Sequence, residues 1–140
     1  MIVDDEKFNC DIIEGFLMVL NMHNYKARVK QCYNGEQAVE AVRAAVEEFD
    51  PFRYTLILMD CNMPFLDGYE ATKRIRRLWE GIGVKRENQP RIIAVTGHVE
   101  EEYVMKAMDS GMDKVYPKPF PIKEFGKLLK RMKFIEQIPP

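Results

Sequence analysis

Met1-Ile2-Val3 is a short apolar run that stops against Asp4-Asp5-Glu6, the pattern of a strand feeding a helix whose first turn attracts acidic side chains. From Phe8 onward Ile12, Ile13, Phe16, Leu17 and Leu20 recur at three- and four-residue intervals and predict an amphipathic helix ending near Met22. Ala27 and Val29 alternate with Arg28 and Lys30, which predicts a half-exposed strand running to about Cys32 before Asn34-Gly35 breaks the chain. A second helical stripe (Ala38, Val39, Val42, Ala45, Val46, Phe49) closes at Asp50-Pro51, because the residue before proline is pushed out of the helical region.

Tyr54 to Met59 is apolar except for one threonine, as suits a central strand covered on both faces. A third helix follows Asp67-Gly68 with Ala71, Ile75 and Leu78 on one face, and dissolves in Gly81-Ile82-Gly83 and a polar loop to Pro90. Arg91 to Thr96 reads as another buried strand, and Glu100 to Ser110 as a helix with Gly111 as its cap. A short strand lies around Lys114 to Tyr116, and a last helix from about Pro121 carries Ile122, Phe125, Leu128, Leu129 and Met132. Five strands alternating with five helices predict an α/β protein, a parallel sheet wound on both sides. Ligands on such sheets bind at the carboxyl ends of the strands.

Composition narrows the function classes. The 140 residues suit one domain, and 46% hydrophobic with 31% charged residues supports a real core. Twenty-one basic against 22 acidic residues leave a net charge of -1, so no general field recruits nucleic acid or an anionic membrane. No apolar run approaches the roughly 20 residues of a membrane span, and no signal pattern opens the chain, so a cytoplasmic location is expected. Cys10, Cys32 and Cys61 are widely spaced, and His23 and His98 lack a neighbouring ligand, which argues against disulfides and zinc. Trp79 and the methionines, including Met105, Met108 and Met112, read as packing, and Lys73, Arg74, Arg76 and Arg77 as a solvated basic face.

The predicted strand ends carry Asp4 and Asp5, Asp60, Thr96 and Lys118. Singly, each fits a cap, a turn or a surface charge; a structural role does not require that they converge. Three carboxylates at one place repel, and a hard divalent cation relieves them: oxygen-only ligands favour Mg²⁺, with Mn²⁺ able to substitute. A cation, an ammonium and a hydroxyl around one remaining carboxylate are what phosphoryl transfer needs, with Asp60 as nucleophile forming an acyl phosphate.

Val3-Asp4-Asp5-Glu6, Leu58-Met59-Asp60-Cys61-Asn62-Met63-Pro64 with Asp67-Gly68, Val95-Thr96-Gly97, Gly111-Met112-Asp113 and Lys118-Pro119-Phe120 together resemble the receiver (response-regulator) domains of two-component signalling, in order and spacing over residues 1 to 132. The resemblance implies a flavodoxin-like (CheY-like) three-layer fold of strand order 2-1-3-4-5, with residues 1–140 as a single receiver domain. It implies that Asp60 is the phosphoacceptor, that Asp4, Asp5 and the backbone carbonyl of Asn62 join it around Mg²⁺, and that Thr96 and Lys118 meet the phosphoryl group, Lys118 preceding a cis bond to Pro119. The implied function is that of a phosphorylation switch, which catalyses its own phosphorylation and dephosphorylation and is not a turnover enzyme. Its phosphodonor would be a histidine kinase or histidine phosphotransfer protein. Its downstream partner would meet the face of the fourth helix, fifth strand and fifth helix; neither nucleic acid nor membrane is expected to touch it.

Three departures and one rival complete the reading. Receiver domains commonly carry an aromatic residue three positions before the lysine; here Val115 stands there and Tyr116, the next residue, faces the other side of the strand. Only three residues precede Asp4, so either the polypeptide was trimmed from something longer or the first strand frays. The loop from Gly81 to Gln89 resembles those of receiver domains attached to hybrid kinases. His98 and Asn62, each two residues beyond a site residue, resemble positions that tune acyl-phosphate hydrolysis. The rival, a magnesium-dependent phosphatase or phosphotransferase with an aspartyl nucleophile, uses a second aspartate two residues on as general acid; Asn62 occupies that position and cannot serve.

Overall fold

Strand length and burial follow the apolar runs. In the computed structural model, which describes residues 1–140, β3 (Leu56–Met59) is buried at every position and β4 (Arg91–Thr96) at every position but its first. They form the centre of a five-stranded parallel sheet of order β2-β1-β3-β4-β5, with β1 at Ile2–Val3, β2 at Gln31–Cys32 and β5 at Lys114–Pro117. This is the doubly wound architecture expected from the alternation.

Helices α1 (Lys7–Val19), α3 (Gly35–Glu47), α4 (Gly68–Gly81), α5 (Glu101–Ser110) and α6 (Ile122–Arg131) cover the two faces. One core holds Val39, Val42, Ile57, Met59, Ile75, Trp79 and Ile92; the other holds Ile13, Leu17, Leu58, Ile93, Val95, Phe125 and Leu129. Alternate residues of β3 and β4 therefore point to opposite cores, as the pleat requires. Asn34 caps α3 by accepting the Gln37 N–H at 2.7 Å, and Asp67 caps α4 by accepting the Glu70 N–H at 2.8 Å. Gly111 ends α5 at φ 107°, a left-handed conformation in which a side chain would be strained. No helix is long and apolar enough to cross a membrane.

Several expectations need correction. Residues 25–28 are a single helical turn, α2 (Tyr25–Arg28), so six helices are present and β2 is confined to Gln31–Cys32. The turn brings Tyr25 and Val29, four apart, against the core, and that packing outweighs a two-residue alternation in Ala27 and Val29. On α1 the buried seam is Cys10, Ile13 and Leu17, with Leu20 beyond the helix; Phe8 and Ile12 flank it in solvent. Phe49 leaves α3 at φ 58° and is exposed, and Met105 and Met108 face solvent, whereas Met112 is core.

Arg76 belongs to no solvated face. Its buried guanidinium donates to Gly111 O at 2.9 Å, to Pro90 O at 2.8 Å, to Gln89 Oε1 at 3.2 Å and to Asp113 Oδ2 at 2.9 Å, stitching α4 to the start of β4 and β5. Burial and the neighbouring arginines push it down to about 10 against the pull of Asp113. Its positive charge is thus spent inside the fold, which spacing along the helix alone could not distinguish from surface charge.

Candidate functional site

Parallel register assembles the site. Val3 pairs with Met59, and the Asp60 N–H donates to Val3 O at 2.9 Å, so Asp4 and Asp60 leave neighbouring strands side by side. Thr96 ends β4 next to them, and the Lys118 N–H donates to Thr96 O at 2.9 Å, which draws the residue after β5 inward. Asp4, Asp5 and Asp60 each offer a carboxylate oxygen within 4.8 Å of the others. All six residues singled out from the sequence, Asn62 included, lie at this carboxyl edge of the sheet.

Their environments differ. Asp4 and Asp60 are buried and Asp5 is exposed. Lys118 Nζ lies 2.7 Å from Asp4 Oδ2 and 3.1 Å from Asp60 Oδ2, an ammonium bridging two carboxylates. Burial works against its charge, but the two acids prevail and raise it above the usual lysine value. Asp60 is pushed up to about 6, first by desolvation, then by Asp4, with Lys118 and the Asn62 N–H pulling the other way. Lys118 is flanked by a cis peptide bond to Pro119.

The loop after β3 is shaped by a close approach. The Gly68 N–H donates to Cys61 O at 2.9 Å, and a Cβ at Gly68 would lie 2.1 Å from Asp60 O, so α4 can start here only with glycine. Asn62 N donates to Asp60 Oδ1 at 3.2 Å, fixing one carboxylate oxygen. Thr96, buried, accepts the His98 N–H at 3.2 Å, and the half-exposed His98 ring sits against Tyr103 of α5, centroids 4.8 Å apart. His98 therefore lies at the rim, as expected.

Two features were missed. Asn9, on the first turn of α1, donates to both Asp4 oxygens at 3.3 and 3.2 Å, and Asp4 Oδ1 also accepts the Glu6 N–H at 2.9 Å. An amide five residues past the acid, on the turn above it, was the available signal. Behind Asp60 a buried pair, Cys61 and Tyr69, faces Thr96; nothing in spacing brings a helix residue to that strand end.

Chemically, the edge offers hard oxygen donors of unequal exposure, a fixed ammonium and a buried hydroxyl. The donor set fits a hard divalent cation, because two acids are held in place while Asp5 keeps one side open to solvent.

A family model described as the response regulator receiver domain matches residues 1–130. Over 95% of its length the chain is 35% identical to a segment of the signal transduction histidine-protein kinase BarA of Escherichia coli K12, amounting to 12% of that protein. The solved receiver domain of the histidine kinase CKI1 of Arabidopsis thaliana, complexed with Mg²⁺, superposes with a TM-score of 0.75 at 29% identity, covering 94% of this chain and 88% of that one. The receiver domain of Ssk1, crystallised with the histidine phosphotransfer protein Ypd1 of Saccharomyces cerevisiae, gives 0.72 at 26% identity over 96% and 89%. The chain spans about a tenth of the length of the curated relatives it matches.

Proposed function

The chain belongs to the response regulator receiver family, and from that premise we propose that residues 1–140 form a single receiver domain whose Asp60 accepts a phosphoryl group from a phosphohistidine. The observation that carries this reading is the convergence of Lys118 on Asp4 and Asp60, with Asp5 within 4.8 Å. A fixed ammonium beside these acids is placed to meet an incoming phosphoryl group.

An Asp60 carboxylate oxygen attacks phosphorus in line. The O–P bond forms as the P–N bond of the donor breaks, and the electron pair returns to the imidazole nitrogen, which takes up a proton from solvent. Lys118 pairs with the transferred phosphoryl oxygens, and the Thr96 hydroxyl turns from its resting place to meet another. Asp4, Asp5, Asp60 and the Asn62 carbonyl would hold Mg²⁺, which neutralises charge on the phosphoryl oxygens when bound. The solved CKI1 receiver domain with Mg²⁺ supports that assignment. Asn62 supplies no proton, so the residues favour a switch over a phosphatase that turns over.

The phosphodonor is a histidine kinase or a histidine phosphotransfer protein, consistent with the Ssk1–Ypd1 complex. Exposed Phe8, Ile12, Phe65 and Val99 lie along the same edge as the acids and suit a docking surface for it. The modified state would be read at α5, β5 and α6, in the cytoplasm where such donors work.

Incubation with acetyl phosphate and Mg²⁺, followed by mass spectrometry, tests the assignment. The parent gains one phosphoryl group, and Asp60→Asn, folded by circular dichroism, gains none. Labelling of Asp60→Asn at the parent's rate overturns it.

A further inference from the structure

The hydroxyl of Tyr69 is buried without a hydrogen-bond partner, the one buried side-chain polar atom in the protein so left. The residue as a whole is 5% exposed. An orphaned buried hydroxyl is costly in any fold and calls for a reason.

Its surroundings supply one. Tyr69 stands on the first turn of α4 with its hydroxyl beside the Cys61 sulfur. Cys61 is two residues past the Met59–Ala94 pair of β3 and β4, and so faces Thr96, whose hydroxyl is also beside that sulfur. All three side chains are buried. The buried Cys61 thiol is a weak acceptor. One weak acceptor thus faces two hydroxyls, and that of Tyr69 has no hydrogen-bond partner.

On its outer side the Tyr69 ring carries the ammonium of Lys106, 4.4 Å from the ring centroid, so the ring is tied to α5. Beside it an open groove is lined by Lys73, Met105, Lys106 and Asp109. Strand β5 has no comparable relay. Val115 packs in the same core as Cys61 and Tyr69 but has no polar atom, and Tyr116 packs in the other core against Phe120.

We infer that Tyr69 is a positioning residue for Thr96. The two hydroxyls compete for the Cys61 sulfur, and when Thr96 turns to a phosphoryl group on Asp60, Tyr69 takes the sulfur and draws Lys106 and α5 with it. This rests on the phosphoacceptor reading above. It goes beyond that reading by naming the residue that couples Thr96 to α5 in a chain with valine at position 115. No covalent step is involved; one hydrogen bond is exchanged for another.

Hydrogen exchange of α5 amides, with and without beryllofluoride and Mg²⁺ as a stand-in for the phosphoryl group, tests it. The parent changes its exchange over residues 101–110 on adding the probe. Tyr69→Phe, which keeps the ring and its packing, shrinks that change about threefold or more, while acetyl phosphate labels it at the parent's rate and its thermal midpoint does not fall. Cys61→Ala behaves like Tyr69→Phe, whereas Cys61→Ser, which restores an acceptor, keeps the parent's response. A full response in Tyr69→Phe, or a labelled parent with no change in α5, overturns the inference. A parent that fails to label overturns the phosphoacceptor reading instead.

Discussion

Lys118 Nζ sits 2.7 Å from Asp4 Oδ2, though the two residues come from opposite ends of the chain, and the same ammonium reaches Asp60 Oδ2 at 3.1 Å. Replacing it by methionine keeps the aliphatic stem but leaves two buried acids without their cation. Asp60 should then titrate above its present value of about 6, because desolvation and Asp4 are opposed only by the Asn62 N–H. Labelling by acetyl phosphate should slow by about 100-fold, the usual cost of losing one charged partner of a transferring group. A carbon-13 titration of the Asp60 carboxyl and a labelling time course check the two effects separately; labelling as fast as the parent's would show that Lys118 does not meet the phosphoryl group.

Gly68 makes the second prediction. A methyl group there would lie 2.1 Å from the Asp60 carbonyl oxygen and 2.9 Å from Cys61 Cα, both backbone atoms that cannot step aside alone. Gly68→Ala should therefore cost about 2 to 3 kcal/mol through overpacking and displace the Asp60 loop. Urea denaturation gives the first figure, and the labelling rate reports the second. Gly15, with open space around it, is the control: Gly15→Ala in α1 should leave labelling unchanged and, if anything, stabilise.

Strands β3 and β4, and the gathering of Asp4, Asp5, Asp60, Thr96 and Lys118 at one sheet edge, were legible in the sequence because each rests on a local signal: an apolar run of the right length, followed by the residues that end it; Asn62 came from the family resemblance alone. The misreadings lie where tertiary packing decides. Ala27 and Val29 carry a two-residue alternation, yet Tyr25 and Val29 find the core by a helical turn. Arg76 looks like its neighbours Lys73 and Arg77 along α4, and only groups distant in sequence, the carbonyls of Pro90 and Gly111 with Gln89 and Asp113, draw it inside. Tyr69 behind Thr96 has the same origin: a helix residue meets a strand end through the fold, not through spacing.

Stability should depend on pH through two groups of opposite sign whose windows overlap between about 5 and 6. The Met1 ammonium is fully buried, donates to Leu56 O at 2.7 Å and is lowered from 8.0 to about 5, chiefly by desolvation. Between those values the unfolded chain binds more protons than the folded one, so stability rises with pH from about 5 to 8. Asp60 works in the opposite sense. Its value is raised from 3.8 to about 6, the folded chain binds more protons across that interval, and its contribution falls as pH rises through it. Thermal midpoints of the metal-free polypeptide beginning at Met1, measured from pH 4 to 8, should show the upper rise. N-terminal acetylation should abolish that rise, and Asp60→Asn should remove only the lower component.

The last prediction separates stability from the site. Asp113 accepts Arg76 Nη2 at 2.9 Å and Arg86 Nη2 at 3.1 Å, and its Oδ2 also accepts the Ile92 N–H at 2.8 Å. Arg76 is 5% exposed at its side chain, so Asp113→Ala strands a buried guanidinium and should cost about 3 kcal/mol or more. Arg76→Met costs less, since Asp113 keeps Arg86 and an exposed flank, and the double variant should fall well short of the sum of the two. Because this knot ties α4 to the beginnings of β4 and β5, at the edge of the sheet opposite the acids, the urea midpoint should drop while labelling of Asp60 in the folded fraction keeps its rate. A strictly additive double variant would show that the two side chains do not stabilise each other. A labelling rate that fell with the midpoint would show that the knot also holds the phosphoacceptor edge in shape.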